Sequence, residues 1–215
     1  MSHPHIDRPP LRLGILLSGR GSNFVAIADS IRSGRLTGVE IAVVISNVED
    51  APGLAAARRL GLPSALHISK GRSREAHDAE VAACLAQHQV DLVCLAGYMR
   101  LLSPSFVAAF PRRILNIHPS LLPAFPGLEA QEQAWAYGVK VAGCTVHFVD
   151  DELDHGVIVL QRAVLAGDED DAHALAARIL AEEHLAYPEA IGMVASGEYE
   201  IRGRRFVRRG ARQGL

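Results

Sequence analysis

The sequence has few cysteines, little net charge and no long apolar run, and each shortage excludes a class of protein. Its three cysteines, Cys84, Cys94 and Cys144, form no CxxC pair and their number is odd, so we expect reduced core residues rather than a disulfide framework. The net charge of -2 gives no general attraction for polyanions. No apolar run is long enough to span a bilayer, and the N-terminus has no apolar h-region of a signal peptide. We therefore expect a cytoplasmic protein with neither a membrane nor a nucleic-acid partner.

The size of the chain and the character of its ends predict one domain with two loose termini. The chain has 215 residues with 49% hydrophobic content, which suits a single globular domain. The basic stretch IRGRRFVRRGARQG favours a solvated tail over a nucleic-acid-binding arm. We expect a disordered extension over residues 1–10, the domain over 11–208 and a flexible tail over 209–215.

Apolar runs and helical spacings alternate through the first half of the chain. Near-continuous apolar strands of this kind are typical of a parallel sheet that is covered on both faces. Two later β-rich runs predict antiparallel strands, and YEIRGRRFV predicts a terminal hairpin. The sequence therefore predicts an α/β fold, in which a mostly parallel twisted sheet has helices on both faces and antiparallel strands are added in the C-terminal part. The strand-forming runs are LRLGILLS, VEIAVVIS, PSALHI, VDLVCLAG, RRILNIH, VAGCTVHFV and GVIVLQRAVLA.

Polar residues stand at the ends of several predicted strands. In sheets of this type ligands bind beyond the carboxyl ends of the strands. Ser18, His118 and the residues after Ala96 all follow such ends. We expect them to meet at one edge of the sheet.

A glycine-containing loop, SGRGSN at residues 18–23, joins the first strand to the first helix. Gly19 and Gly21 permit unusual backbone conformations, and Ser22 or Asn23 is predicted to cap the helix. Free N–H groups at a helix start favour an anion. The loop lacks the lysine of GxxxxGK[ST] and is not a full GxGxxG, so both a monophosphate site and a simple tight turn remain open.

The stretch ILNIHPSLLP places an amide and an imidazole at the end of a buried strand. Asn116 and His118 are two residues apart, so their side chains share one face of the strand. Pro119 and Pro123 then hold the chain in a non-helical path. We expect an amide donor and an imidazole beside one small volume.

The acidic stretch DDELDHG supplies a candidate partner, Asp154, and Gly156 would let the loop fold back tightly. If Asp154 approaches His118, its carboxylate stabilises the imidazolium, which is a usable acid near neutral pH. A metal site made by His118, His147 and Asp154 is an alternative, although no HxxxH or HxD pairing supports it. His147 alternates within TVHFV, where a supporting hydrogen bond is the simpler role.

Four motifs, SGRGSN, LAGYMRLLSP, LNIHPSLLPAFPG and TVHFVDDELDHG, together resemble the folate-dependent formyltransferases, over residues 11–188. Within that family the chain is similar to the enzymes that act on glycinamide ribonucleotide. The resemblance implies a Rossmann-like formyltransferase fold and transfer of a formyl group from 10-formyltetrahydrofolate to the ribonucleotide amine in de novo purine biosynthesis. It also implies direct attack through a tetrahedral intermediate, no metal, and a monomer or weak homodimer.

The resemblance carries roles to individual residues of this chain. Two positions depart from the pattern, since His155 stands where a glycine is common and Leu180 where the residue is usually polar. The implied catalytic residues are Asn116, His118 and Asp154. The implied ribonucleotide-binding residues are Gly21, Ser22, Asn23 and Glu183. The implied folate-binding residues are Arg74, Met99, Arg100, Leu101, Leu102, Asn116, Asp150, Asp151 and Asp154.

Three other functions share part of this pattern. A 10-formyltetrahydrofolate hydrolase would keep the same three catalytic residues, and a methionyl-tRNA formyltransferase would keep HPSLLP. We expect the first to need an N-terminal regulatory domain and the second a C-terminal RNA-binding domain, for which the chain leaves no room. A non-catalytic nucleotide-binding module would use the glycine loop and leave Asn116, His118 and Asp154 unexplained.

Overall fold

A nine-stranded sheet forms the centre of the computed structural model, which describes residues 9–209. The strands are β1 (Leu11–Leu17), β2 (Val39–Ser46), β3 (Ser64–Leu66), β4 (Leu92–Leu95), β5 (Ile114–His118), β6 (Val141–Phe148), β7 (Ile158–Leu165), β8 (Tyr199–Arg202) and β9 (Arg205–Arg208). The helices are α1 (Ser22–Arg32), α2 (Pro52–Arg59), α3 (Arg74–Gln87), α4 (Pro104–Ala109), α5 (Ala130–Tyr137) and α6 (Ala172–Ala195). Apart from residues 9, 10 and 209, the predicted extension and tail lie outside the described residues.

The strand order is β3-β2-β1-β4-β5-β6-β7-β9-β8. Strands β1 to β5 pair in parallel, whereas β6 is antiparallel to both β5 and β7. The hairpin β8–β9 joins the sheet through a parallel pairing of β9 with β7. The predicted fold class, a mostly parallel sheet with antiparallel strands added late in the chain, is therefore confirmed.

Both faces of the sheet are buried, which explains why its strands are apolar at nearly every position. Leu13, Ile15 and Leu17 alternate along β1 and pack into a core with α1, α2, α5 and α6. Leu16 points the other way into a second core with α3 and α4, where Leu85 and other apolar side chains meet it. The helices thus lie on both faces, as predicted.

Two helices differ from the sequence-based expectation. Helix α4 was not expected, because six residues are too few to show a helical period; its only signal is the pair Ser103 and Pro104 at the start. The Ser103 hydroxyl accepts from the Phe106 N–H at 3.3 Å and caps the helix. The run DAHALAARILAEEHLAYPEAI predicts a long helix with Pro188 near its end, but α6 continues past Pro188 to Ala195.

The three cysteines are buried and free, as the sequence predicts. Burial raises the pKa of the Cys94 and Cys144 thiols to about 12, so neither is a nucleophile at neutral pH. Over residues 9–209, no helix combines the length and the apolar character needed to cross a bilayer.

Candidate active site

Ser18 ties together the ends of three strands at one edge of the sheet. Its hydroxyl donates to Asn47 Oδ1 at 2.6 Å, just after β2, and accepts from the Met99 N–H at 2.8 Å, after β4. Its own N–H donates to the Gly97 carbonyl oxygen at 3.0 Å. His118 ends β5, which runs parallel to β4, so the expected meeting of these strand ends at one edge of the sheet is confirmed.

The glycine loop starts α1 in a different way from the predicted one. The N-cap residue is Gly21, with φ of 70° in the left-handed region, and no side chain caps the helix. The prediction that Ser22 or Asn23 caps α1 is wrong, because both lie inside the first turn. The backbone N–H groups of that turn therefore have no side-chain acceptor at the cap position and remain available to a ligand.

Gly19 and Gly21 play unequal roles in the loop. A Cβ at Gly19 would meet nothing within 4 Å, and its φ is not in the left-handed region, so the loop does not use the conformational freedom that Gly19 permits. A Cβ at Gly21 would approach the Gly53 Cα to 3.0 Å and the Leu17 Cδ2 to 3.1 Å. Only Gly21 requires glycine, both for its φ and for its close packing on α2.

Asn23 and Glu183 lie far apart in the sequence but share a buried hydrogen bond. Asn23 Nδ2 donates to Glu183 Oε2 at 2.7 Å, and both residues are buried. Burial raises the pKa of Glu183 from 4.5 to about 7, and the hydrogen bond from Asn23 opposes this only in part. One turn later on α6, the Tyr187 hydroxyl lies 3.1 Å from the Leu95 carbonyl oxygen and 3.0 Å from that of Leu115. Tyr187 thereby holds this part of α6 against the last residue of β4 and the first half of β5.

Asn116 projects from β5 beside a histidine of the neighbouring strand. The register of β5 and β6 pairs Asn116 with His147, and Asn116 Nδ2 lies 3.3 Å from His147 Nε2. His147 Nδ1 lies 2.9 Å from the Phe148 carbonyl oxygen, which can only accept. In the neutral ring Nδ1 therefore carries the hydrogen, and Nε2 accepts from Asn116. One amide hydrogen of Asn116 is used in this way and the second is left for a ligand.

His118 faces an acceptor on each side of its ring. Nε2 lies 2.8 Å from the Phe125 carbonyl oxygen, and Nδ1 lies 3.4 Å from Asp154 Oδ2. Only the doubly protonated imidazolium can donate to both oxygens. The side chains of His118 and Asp154 are 5% and 8% exposed, so the pair is largely shielded from water. The expected approach of Asp154 to His118 is thus present.

Neighbouring groups keep Asp154 ionised. Burial by itself would raise the pKa of its carboxyl group, but hydrogen bonds and nearby positive charge, the Gly127 N–H and His118 among them, lower it, and the net pKa lies below its ordinary value. The Gly127 N–H donates to Asp154 Oδ2 at 2.8 Å, and His147 Nε2 lies 3.7 Å from Oδ1. A negative charge therefore stands beside His118 at neutral pH.

The loop that carries Asp154 is tightly folded. Asp154 has φ of 51°, a backbone conformation that residues other than glycine seldom adopt. A Cβ at Gly156 would lie 1.7 Å from the Phe148 carbonyl oxygen, so no side chain fits there. Gly156 is therefore needed, as expected, although for space rather than for an unusual φ.

The segment after His118 is anchored to β6, which sets the position of its two site contacts. The Thr145 hydroxyl donates to the Ser120 carbonyl oxygen at 2.7 Å and accepts from the Leu122 N–H at 3.0 Å. The two prolines that flank this turn predict a structural role for Ser120, and its hydroxyl indeed donates to the Ala124 carbonyl oxygen at 2.5 Å. These hydrogen bonds fix the path of the segment and so place the Phe125 carbonyl oxygen beside His118.

The residues expected to bind folate are less closely grouped than the catalytic candidates. Met99 and Leu101 follow β4 and are 67% and 54% exposed, which leaves an apolar surface open beside the site. Arg100 and Leu102 are half-buried, whereas Arg74 is exposed on the first turn of α3 and Asp150 and Asp151 lie on the acidic loop. The Arg74 side chain makes no hydrogen bond to any other group among residues 9–209.

His147 contributes more than the sequence analysis assigned to it. It was expected to make one supporting hydrogen bond, but it contacts both Asn116 and Asp154. The period-2 alternation of TVHFV beside β5 is the signal that could have identified it. In the part of the chain that the structure describes, no group of three or more His, Cys, Asp or Glu side chains is arranged to hold a metal ion.

Comparison with known proteins decides the family of the chain. The family profile described as formyl transferase matches residues 11–191, most of the chain. The chain belongs to the formyl transferase family. The match includes the glycine loop, β5 with Asn116 and His118, the acidic loop and Glu183.

Individual members of the formyl transferase family agree with this assignment. The chain is 42% identical over 194 residues to the phosphoribosylglycinamide formyltransferase of Escherichia coli, covering 89% of this chain and 90% of that one. It is 44% identical over 194 residues to the trifunctional purine biosynthetic protein adenosine-3 of Drosophila pseudoobscura pseudoobscura, covering 89% of this chain but only 14% of that relative's length. The crystal structure of glycinamide ribonucleotide transformylase 1 from Symbiobacterium toebii superimposes with a TM-score of 0.92 at 52% identity, covering 97% of this chain and 98% of that one.

Proposed function

We propose that this formyl transferase moves the formyl group of 10-formyltetrahydrofolate to the amine of glycinamide ribonucleotide, a step of de novo purine biosynthesis. The observation that carries the proposal is the shielded pair of His118 and Asp154 beside the amide of Asn116. The similarity to the Escherichia coli enzyme over nearly its whole length supports the choice of substrate.

The ribonucleotide is proposed to bind between the start of α1 and α6. Gly21, Ser22 and Asn23 would present backbone N–H groups and the positive end of the α1 dipole to the phosphate. Glu183, held beside Asn23, would accept from sugar hydroxyl groups. These two contacts would leave the amine of the substrate directed toward the end of β5.

The folate is proposed to bind on the other side of the catalytic residues. Met99, Arg100, Leu101 and Leu102 would contact it largely through backbone groups, and the exposed side chains of Met99 and Leu101 offer apolar surface to its rings. Asp150, Asp151 and Asp154 would line the pterin pocket, and Arg74 would reach the more distant part of the cofactor. Asn116 would face both ligands.

The chemistry follows from the charges of the site. Attack of the amine on the formyl carbon creates a tetrahedral intermediate with a negative oxygen. The free N–H of Asn116 and the positive charge of His118 stabilise that oxygen, and one well-placed donor contributes about 3 kcal/mol. Asp154 stabilises the proton on His118, which passes it, directly or through water, to N10 of tetrahydrofolate as the bond from the formyl carbon to N10 breaks. The attacking nitrogen loses one proton in the same step, and this proton returns through water to His118. No covalent enzyme intermediate is required.

A direct assay separates formyl transfer to glycinamide ribonucleotide from two of the rival functions, the hydrolase and the non-catalytic binding module. The protein is mixed with 10-formyltetrahydrofolate, with and without glycinamide ribonucleotide, and the absorbance of the deformylated folate is followed. Product that forms only with the ribonucleotide supports transfer. Product that forms without it would indicate a hydrolase, and ribonucleotide binding without product would indicate a binding module.

Replacing Gly21 by alanine is expected to weaken ribonucleotide binding at least tenfold. The new Cβ would lie 3.0 Å from the Gly53 Cα, and alanine is strained at the left-handed φ of residue 21. The backbone there would have to shift, and the N–H groups that are proposed to hold the phosphate would move with it. Gly34→Ala is the matched control, because Gly34 has a similar φ of 74° but nothing within 4 Å of its Cβ. Calorimetric titration with glycinamide ribonucleotide measures both; equal affinities for the two variants would contradict the phosphate site.

The location and assembly expected from the sequence belong to the same proposal. Buried free cysteines are consistent with the reducing cytoplasm, where we place the enzyme. We propose a monomer or weak homodimer, which sedimentation velocity over a range of concentrations would measure.

A further inference from the structure

The C-terminal hairpin reaches the acidic loop of the site. Strand β9 joins the sheet at the start of β7, where Arg205 pairs with Ile158. The hairpin turn, with Gly203 at φ of 59°, therefore lies close to the end of the acidic loop. Arg204 follows Gly203 in that turn and extends its side chain to His155.

A directed chain of hydrogen bonds runs from Arg204 into the loop. Arg204 Nη1 donates to His155 Nε2 at 2.8 Å, and Arg204 Nη2 also donates to the His155 carbonyl oxygen. Nη1 also lies 3.3 Å from His155 Nδ1, but Nδ1 faces the Asp150 carboxylate, which can only accept. The tautomer with the hydrogen on Nδ1 and Nε2 as the acceptor therefore satisfies both partners. His155 Nδ1 donates in turn to Asp150 Oδ2 at 3.0 Å, and Asp150 Oδ1 accepts from the Glu152 N–H at 3.1 Å.

This chain joins the two ends of the loop that presents Asp154. Asp150 opens the loop and His155 closes it, so their contact sets the distance that the backbone between them must span. Asp154 lies inside that span with φ of 51°. A residue in that conformation needs support from its surroundings to stay there.

The contacts among Arg204, His155 and Asp150 lie at the surface, so we expect them to affect the conformation of the loop rather than the stability of the whole protein. The side chains of His155 and Asp150 are 43% and 44% exposed, and exposed pairs contribute little to overall stability. Even a small contribution changes the fraction of molecules in which a short loop has one particular conformation. Loss of Arg204 should therefore alter the loop without unfolding the protein.

We propose that Arg204 is a positioning residue, which acts through His155 to hold the loop of residues 150–155 in the conformation that presents Asp154 and receives the formyl donor. The proposal deepens the proposed function and rests on it for its kinetic part. The loop contact itself does not depend on the identity of the substrates.

The test compares Arg204→Ala with Arg205→Ala, a matched change at the neighbouring exposed position of β9. For Arg204→Ala we expect the KM for 10-formyltetrahydrofolate to rise about fivefold, with the KM for glycinamide ribonucleotide and the thermal midpoint unchanged. Arg204→Lys should recover part of the loss, because one ammonium group can replace only one of the two donors. Arg205→Ala should behave as wild type.

Amide hydrogen exchange without ligands gives a second readout. Exchange over residues 150–155 should accelerate in Arg204→Ala and not in Arg205→Ala. Unchanged exchange, or faster exchange with an unchanged KM for the formyl donor, would overturn the positioning role. A different outcome would be faster exchange in Arg204→Ala together with no formyl transfer by the wild-type protein. That result would overturn the proposed function and leave Arg204 with a role in the loop contact alone.

Discussion

Replacing Asp154 by asparagine is expected to lower kcat about 10³-fold while the protein still folds. The amide has nearly the size of the carboxylate, but it carries no charge to hold a proton on His118. Oδ2 alone accepts from the Gly127 N–H and faces His118 Nδ1, so an amide oxygen in its place can keep both contacts but lacks the negative charge that stabilises the imidazolium. The chemical step should therefore suffer much more than substrate binding.

The measurement is the steady-state rate of deformylated folate production, with circular dichroism as a check of folding. Asp168→Asn is the matched control, because the side chain of Asp168 is 82% exposed and pairs only with Lys140 at the surface. A kcat for Asp154→Asn within threefold of the wild-type value would remove Asp154 from the catalytic proposal. His118→Ala should lower kcat by a similar factor, since the two residues act as one unit.

Replacing Glu183 by glutamine is expected to stabilise the protein at alkaline pH by about 3 kcal/mol relative to wild type. Burial raises the pKa of Glu183 from 4.5 to about 7 in the folded state. The folded protein therefore holds the proton more tightly than the unfolded chain. The contribution of this group to the free energy of unfolding is fully present below pH 4.5 and is lost as the pH rises through about 7.

Glutamine stays neutral throughout, so the difference in unfolding free energy between the variant and wild type should be small at pH 4.5 and should grow up to pH 8. For a domain of this size the thermal midpoints should separate by about 6 to 12 °C at pH 8. Denaturation at several pH values measures the difference. Glu198→Gln, at an exposed position after α6, is the control, and equal pH dependence in both variants would contradict a buried neutral Glu183.

The glycine loop shows where local sequence rules reach their limit. The sequence correctly predicts a tight turn before α1, because glycine adopts backbone conformations that such turns require. It did not decide which residue begins the helix, and the choice of Ser22 or Asn23 as cap was wrong. Asn23 is turned away to Glu183, 160 residues later in the chain, and no local pattern records that competition.

Two features of the site were determined by the sequence alone. Apolar strands alternating with helices specify a parallel sheet with its ligand edge at the strand ends, because buried strands must be apolar on both faces. The two-residue spacing of Asn116 and His118 places both side chains on one face, since side chains alternate along any strand.

Only the tertiary structure decided which side chains surround that face. The contact of Asn116 with His147 spans 31 residues and that of Gly127 with Asp154 spans 27, and both depend on β6 lying beside β5 in one particular register. The link from Arg204 to His155 likewise depends on β9 joining the sheet next to β7. Periodicity reports how a residue faces its own strand or helix, whereas strand order and register, which depend on the packing of the whole chain, determine what stands opposite it.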